Sequence, residues 1–140
     1  MKTSSKNYWL IKSEPHTWSW EQQKHKKTTH WDGVRNYQAS NNMKLMKKGD
    51  ECFFYHSGKE RAIKGIVTVI KEYYPDHTDE TGRFGMVDVK YVKDLENIYL
   101  SQIKSDPFFN NFPLVRQSRL SVMPVALNEW EKLLKLGGLK

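Results

Sequence analysis

Cys52 and His56 stand four apart in the run Cys52-Phe53-Phe54-Tyr55-His56, and a thiol with an imidazole is a potential nucleophile–base pair. The run is rich in aromatic residues and reads as a strand, which turns positions 52 and 56 to the same face. Along an extended strand their Cα atoms stand about 13 Å apart, beyond hydrogen-bond reach, so Cys52 reads as a small core residue. There is no Gly-x-Ser-x-Gly elbow, phosphate-binding glycine loop or dinucleotide fingerprint. The five histidines, at 16, 25, 30, 56 and 77, lack paired metal-ligand spacing. Asp76-His77-Thr78-Asp79-Glu80 is acidic but lacks the ligand spacing and glycine of a calcium loop, and reads as a solvated loop. The expectation is a protein that is not an enzyme and holds neither metal nor cofactor.

Aromatic residues beside basic and amide side chains carry the positive signal. Trp9, Trp18, Trp20 and Trp31 all fall within the first 31 residues. Nucleobases stack on flat aromatic faces, at roughly 1–3 kcal/mol per base. Asn36 and Gln38 each carry donors and acceptors, as reading a base edge requires. Trp9 and Trp130 suit a strand and an amphipathic helix and read as core. Trp31, beside Asp32, Gly33 and Arg35, reads as part of an exposed loop.

Charge points the same way. Residues 1–50 hold ten Lys/Arg against four acids, residues 51–100 seven against nine, and residues 101–140 six against three. Basic charge gathered at the two ends attracts polyanions, which makes nucleic acid a natural partner; a protein basic by accident is the alternative that charge alone leaves open. At 140 residues, with 38% hydrophobic and 13% aromatic content, one packed domain over 1–140 is expected. The polar start is followed by too short an apolar run for a secretory signal, and no apolar run is long enough to span a bilayer. With a single cysteine as well, a cytoplasmic monomer without membrane contact is the expectation.

Positioning these residues requires both strands and helices. Tyr8–Lys12 reads as a first strand stopped by Pro15, and Ser19 with Gln22 forms a capping box for a helix over Trp20–His25. The tract Lys24–His30 reads as a loop. Asn36 caps a second helix with Ala39, Met43 and Met46 on one face, closed by Gly49. Strands follow at 52–56, 66–70 and 87–92, with a polar loop from Pro75 to Gly85. A short helix around Leu100–Ile103, a strand over 120–123 ending at Pro124, and a helix opened by Asn128 and Glu131 complete the chain. Short strands with helices between them, at no repeating period, give an α+β domain whose sheet forms a partly open barrel.

Several stretches resemble the EVE domain family: Trp9-Leu10-Ile11-Lys12-Ser13-Glu14-Pro15, then Trp31-Asp32-Gly33-Val34-Arg35-Asn36-Tyr37-Gln38-Ala39. Asn41-Asn42-Met43, Lys48-Gly49-Asp50, Phe53-Phe54-Tyr55-His56-Ser57 and the stretch Leu114–Pro124 continue the resemblance, which covers about residues 7–137. The resemblance implies a PUA-like pseudo-β-barrel with short helices between strands and a C-terminal helix, akin to domains that read methylated adenine in RNA. It implies binding of a modified nucleobase, a methylated or otherwise modified cytosine or adenine, in DNA or RNA, without catalysis.

By that likeness Ser13, Trp31, Val34, Arg35, Asn36, Tyr37, Gln38, Tyr55, His56, Ser118, Leu120 and Ser121 would line the base pocket. Lys12, Arg116 and Arg119, with Arg35, would meet phosphates, which position a strand without specifying its sequence. Trp31 would stack on the base or flank its methyl group, while Asn36 and the Ser13 backbone pair with the base edge. Ser40 stands where the family often has a basic residue. Arg35 has a structural alternative, an ion pair with Asp32 or Glu14. The competing function is an RNA-binding module acting on tRNA or rRNA without selectivity for a modified base.

Overall fold

The computed structural model describes residues 6–139, so most of the polar start read against a secretory signal lies outside the described residues. Strand β1 (Tyr8–Ser13) leads through a turn to helix α1 (Trp20–Lys26), then β2 (Thr28–Trp31) and helix α2 (Tyr37–Lys44). Strands β3 (Glu51–His56), β4 (Ala62–Pro75) and β5 (Gly85–Tyr99) follow. Helix α3 (Leu100–Lys104), a 3-10 turn (Pro107–Phe109), helix α4 (Pro113–Arg116), strand β6 (Val122–Val125) and helix α5 (Leu127–Leu136) end the chain. The strands form one six-stranded sheet in the order β2-β5-β4-β3-β1-β6. It is mixed, because β1 runs parallel to β3 while every other pairing is antiparallel. The sheet is not closed, as the two terminal strands each pair on one side only. Register shifts interrupt the β4–β5 ladder at several points, the irregularity that bends a long hairpin.

Strand β3 shows why the core is continuous. Successive side chains of a strand point to opposite faces, and here both faces are covered. Phe53 stacks on Trp130 of α5 at 4.0 Å between ring centroids, and Tyr8 stacks on the same indole at 4.4 Å. Phe54 points the other way, meeting Trp20 of α1 at 4.9 Å and Trp31 of β2 edge-to-face at 5.4 Å. Cys52, Phe53 and Phe54 are wholly buried as a result. The Trp20 ring lies so close to the sheet that a Cβ at Gly65 would collide with it and with the Lys93 carbonyl, which is why the central strand carries glycine there. Trp9 and Trp130 are buried, as their positions predict. Trp9 Nε1 donates to Asp50 Oδ2 at 3.0 Å, the partner a buried indole N–H requires.

Both caps expected early in the chain form. Ser19 and Gln22 make a reciprocal capping box, and Asn36 Oδ1 accepts from the Ala39 N–H at 2.9 Å. Other expectations need correction. The tract 24–30 is not a loop: α1 continues to Lys26 and β2 starts at Thr28, because β5 offers an unpaired edge to residues 28–31. Strands β4 and β5 are much longer than their apolar centres, since pairing with each other carries their polar ends along. The last helix begins at Leu127 on an Ala126 cap, two residues before the predicted Asn128, with Glu129 accepting from the Ala126 N–H. Strand β6 runs through Pro124 instead of ending there; as an edge strand it tolerates a residue without an N–H. Helix α2 ends at Lys44, five residues before Gly49, which supplies a positive φ of 96° to the turn into β3.

Candidate nucleic-acid interface

Where β1 ends, seven other segments converge on a cavity of about 760 Å³. Lys12 and Ser13 close β1, and Glu14, Thr17 and Trp18 belong to the turn behind it. Lys26 comes from the end of α1, Thr29, His30 and Trp31 from β2, and residues 32–36 from the loop between β2 and α2. Ser57 follows β3, His77 sits in the loop between β4 and β5, and Ser118, Arg119 and Ser121 precede β6.

Trp31 corrects its expected exposure. It is the last residue of β2, 7% exposed, with its ring against Phe54 and only a little of its surface left to the cavity. The next residues leave the sheet, and Gly33 takes a φ of +81°, a conformation costly for other residues. This loop is tied down by a residue that sequence reasoning assigned to solvent. Asp76 is 3% exposed, and its carboxylate accepts from Gly33 N (2.8 Å), Arg35 Nη1 (3.0 Å), Thr78 N (2.7 Å) and Thr78 Oγ1 (2.6 Å). Burial pushes the Asp76 carboxyl up, but these hydrogen bonds outweigh it and hold the group well below the usual carboxylate range. Arg35 thus has an ion-pair partner, but it is Asp76, neither Asp32 nor Glu14. The second arm of the guanidinium reaches Thr78 at 3.0 Å, and its carbon lies 5.5 Å from the Phe84 ring centre.

Asn36 has a divided role. Its oxygen caps α2, which leaves the side-chain N–H₂ as the group able to serve the cavity. The Ser13 hydroxyl donates to the Trp18 carbonyl at 2.6 Å, and the Ser13 carbonyl accepts from Ser57 N at 3.0 Å, so Ser13 fixes the cavity wall. Lys12 is half-buried, burial lowers its pKa, and its ammonium donates to the Ser118 carbonyl at 2.8 Å. That bond ties the end of β1 to the loop carrying Arg119, which is exposed and has no ion-pair partner among the described residues. His30 is held through Nδ1 by Asp88 at 2.8 Å.

Nine of the residues expected at the site line this cavity: Lys12, Ser13, Trp31, Val34, Arg35, Asn36, Ser118, Arg119 and Ser121. The structure does not bring the other six to it. Tyr37 and Gln38 are exposed on α2, with Tyr37 packed against Phe84 at 5.1 Å. Tyr55 and Leu120 are buried in the core, and burial pushes the Tyr55 phenol up to about 12. His56 is 6% exposed with both ring nitrogens engaged: Nε2 accepts from Trp20 N at 2.8 Å and Nδ1 bonds Glu60 at 2.7 Å. Arg116 is exposed at the end of α4, away from the cavity lining. Ser40 is buried and bonded to Tyr73, so its side chain does not face solvent. Cys52 is wholly buried, and burial drives its thiol far from the thiolate form.

Sequence reasoning overlooked Thr17, Lys26, Thr29, His30 and His77. Glu14, Asp32, Gly33 and Ser57 stood in the stretches that resemble the family without being assigned to the pocket, and Trp18 carried a signal as an indole within the basic N-terminal third. Asp32, Asp76 and His77 bring potential ligand atoms within 4.8 Å of one another. Asp76 is, however, already saturated by the loop hydrogen bonds described above.

Comparison with known proteins places this cavity in context. A sequence model of the EVE domain matches residues 7–136. Human thymocyte nuclear protein 1 is 37% identical over 166 aligned positions, covering 93% of this chain and 73% of the human protein. A crystal structure from Agrobacterium tumefaciens superposes with a TM-score of 0.92 at 45% identity, covering 95% of this chain and 94% of that one. The human THYN1 protein, solved in complex with 5-methylcytosine-containing DNA, gives a TM-score of 0.88 at 35% identity over 96% of this chain and 99% of its own.

Proposed function

Because this chain belongs to the EVE domain family, a set of PUA-like α+β domains, we propose that it binds 5-methylcytosine in DNA by taking the base out of its stack into the cavity at the end of β1. The observation that carries this reading is the convergence on one cavity of an indole, a side-chain amide and two cations, at Trp31, Asn36, Lys12 and Arg119. A volume of about 760 Å³ falls within the range of small-ligand sites, and a single nucleotide is a ligand of that scale.

Cytosine presents an exocyclic amine that donates and ring atoms that accept. The cavity matches this with acceptors in Asp32 and Glu14 and donors in Asn36 and Lys12. The indole of Trp31 gives the added methyl an apolar neighbour in place of water. Arg119 and Lys26, at the margin, suit phosphates, whose contacts position the strand. His56 and Cys52, the pair considered first for catalysis, are respectively hydrogen-bonded at both nitrogens and sealed in the core, which supports a binder. No helix among the described residues is long and apolar enough to cross a membrane. A cytoplasmic monomer needing no metal completes this proposal.

Capture of cellular nucleic acid on the immobilised protein, followed by mass spectrometry of the retained nucleosides, tests the reading. The expected result is enrichment of 5-methyl-2′-deoxycytidine over the input. Retained nucleosides with the composition of the input would favour a module indifferent to modification.

A further inference from the structure

Beside the base cavity, an open groove of about 610 Å³ runs along α1, lined by Trp18, Glu21, Gln22, His25 and Lys26. Trp18 and Lys26 belong to both spaces, so the groove continues the cavity with the indole as the shared wall. We propose that this groove is a second nucleobase subsite, in which the nucleotide next to the one held in the cavity stacks on Trp18. The inference rests on the base-binding reading of the cavity and extends it to the path of the strand.

Trp18 is built as a platform. Its indole N–H donates to Gln23 Oε1 at 2.8 Å, and Gln23 is wholly buried and bonded in turn to the Lys27 carbonyl at 2.8 Å. Its backbone is held by Glu14, whose carbonyl accepts from Trp18 N at 2.9 Å, and by the Ser13 hydroxyl at 2.6 Å. The ring is therefore fixed by its edge while remaining only partly buried, which leaves apolar surface for a base. Lys26 Nζ lies 5.8 Å from the centre of the ring, where a cation both adds to the stack and meets the phosphate joining the two nucleotides. Of the neighbouring lysines, Lys24 is paired with Asp94 at 3.0 Å, and Lys27 lies over Tyr91, outside the groove lining. Glu21 also lines the groove and disfavours a phosphate beside it, so the backbone passes by Lys26 and the base lies inward.

The test uses a single-stranded DNA heptamer with one central 5-methylcytosine, and two versions with an abasic residue immediately 5′ or 3′ of it. In fluorescence-anisotropy titrations of the wild-type chain, one of the two abasic versions is expected to bind roughly five- to 150-fold more weakly, the scale of one stacked base. Trp18→Ala is expected to lose a similar factor on the intact heptamer and nothing further on that abasic version, whereas Trp18→Phe retains most of the affinity. Thermal melts of both variants check that the fold persists. Unchanged wild-type binding to both abasic versions, or losses from Trp18→Ala and the abasic residue that simply multiply, would overturn the subsite. Matched heptamers with unmodified cytosine separate the two claims. Coupling between Trp18 and the flanking base without preference for the methyl group leaves the subsite standing and removes the base reading; preference without coupling does the reverse.

Discussion

Trp31→Ala is expected to abolish the preference for 5-methylcytosine over cytosine and to lower the melting temperature in the same variant. The two effects come from two sides of one ring. One side packs edge-to-face on Phe54 inside the core, so truncation leaves a void at a cost of about 3–5 kcal/mol, which for a domain of this size is roughly 10–20 °C. The other reaches the cavity, where losing an aromatic neighbour of the base should cost roughly 1–3 kcal/mol, or about five- to 150-fold in affinity for modified DNA. The sequence placed Trp31 in an exposed loop, from which a ring could be removed without harm to the fold; a ring 7% exposed does not allow that separation. Trp31→Phe keeps an aromatic ring in the core and serves as the variant that stays folded. It should retain most of the stability and lose part of the discrimination. Calorimetric titrations beside thermal melts report both quantities, and an unchanged affinity ratio in Trp31→Phe and Trp31→Ala alike would remove Trp31 from the reading.

The second large effect is expected at a residue that sits one hydrogen bond behind the cavity wall. Asp76→Ala removes the acceptor for the Gly33 and Thr78 N–H groups and the partner of Arg35, all at once. Breaking a buried ion pair from one side costs about 3–5 kcal/mol. Because Arg35 is partly exposed and can turn to water, the lower end of that range is expected. The loop between β2 and α2 loses its anchor, so affinity for modified DNA should fall even though Asp76 does not line the cavity. The pH dependence identifies the cause. The carboxyl is held below its ordinary value in the folded chain, so its contribution is fully present above the unfolded pKa of about 3.9 and is lost as pH falls toward the folded value. Melts from pH 7 to pH 3 should therefore show the gap between wild type and Asp76→Ala narrowing in acid. A gap that stays constant over that range would mean that the charge of Asp76 does not hold the loop.

Asp76 also marks where the sequence stopped being readable. Within 76–80 it looks like one of several solvated acids, because its partners Gly33 and Arg35 are more than forty positions away and only the β2–β5 and β4–β5 pairings bring the segments together. Local chemistry was legible: the Ser19–Gln22 box and the Asn36 cap form because their partners lie three residues on. Apolar strand centres were legible for the same reason, but strand ends were not, since pairing alone extends β4 to Pro75 and β5 to Tyr99.

At the site, resemblance supplied Ser13, Trp31, Val34, Asn36 and Ser121 on the cavity wall. It also supplied Tyr55 and His56, from the stretch Phe53–Ser57, which are buried in the core. Strand alternation could have shown that neighbours on β3 face opposite ways, but not which face held the cavity. His30 and His77 carried no signal, because each reaches the cavity only through the placement of a loop or an edge strand.

The central claim, that the cavity reads the added methyl group of a base, is tested most directly by calorimetric titration of paired oligonucleotides. The pair differs only in one cytosine carrying or lacking its 5-methyl group, and each is titrated at two salt concentrations. Phosphate contacts should weaken with salt for both, at a slope of about −0.7 per contact for single strands. The methyl contact lies inside the cavity and carries no charge, so the affinity ratio should stay at about ten- to 200-fold at either salt concentration. Equal affinities for the two oligonucleotides, with both falling together as salt rises, would contradict the account and leave only a basic surface that holds DNA by its backbone.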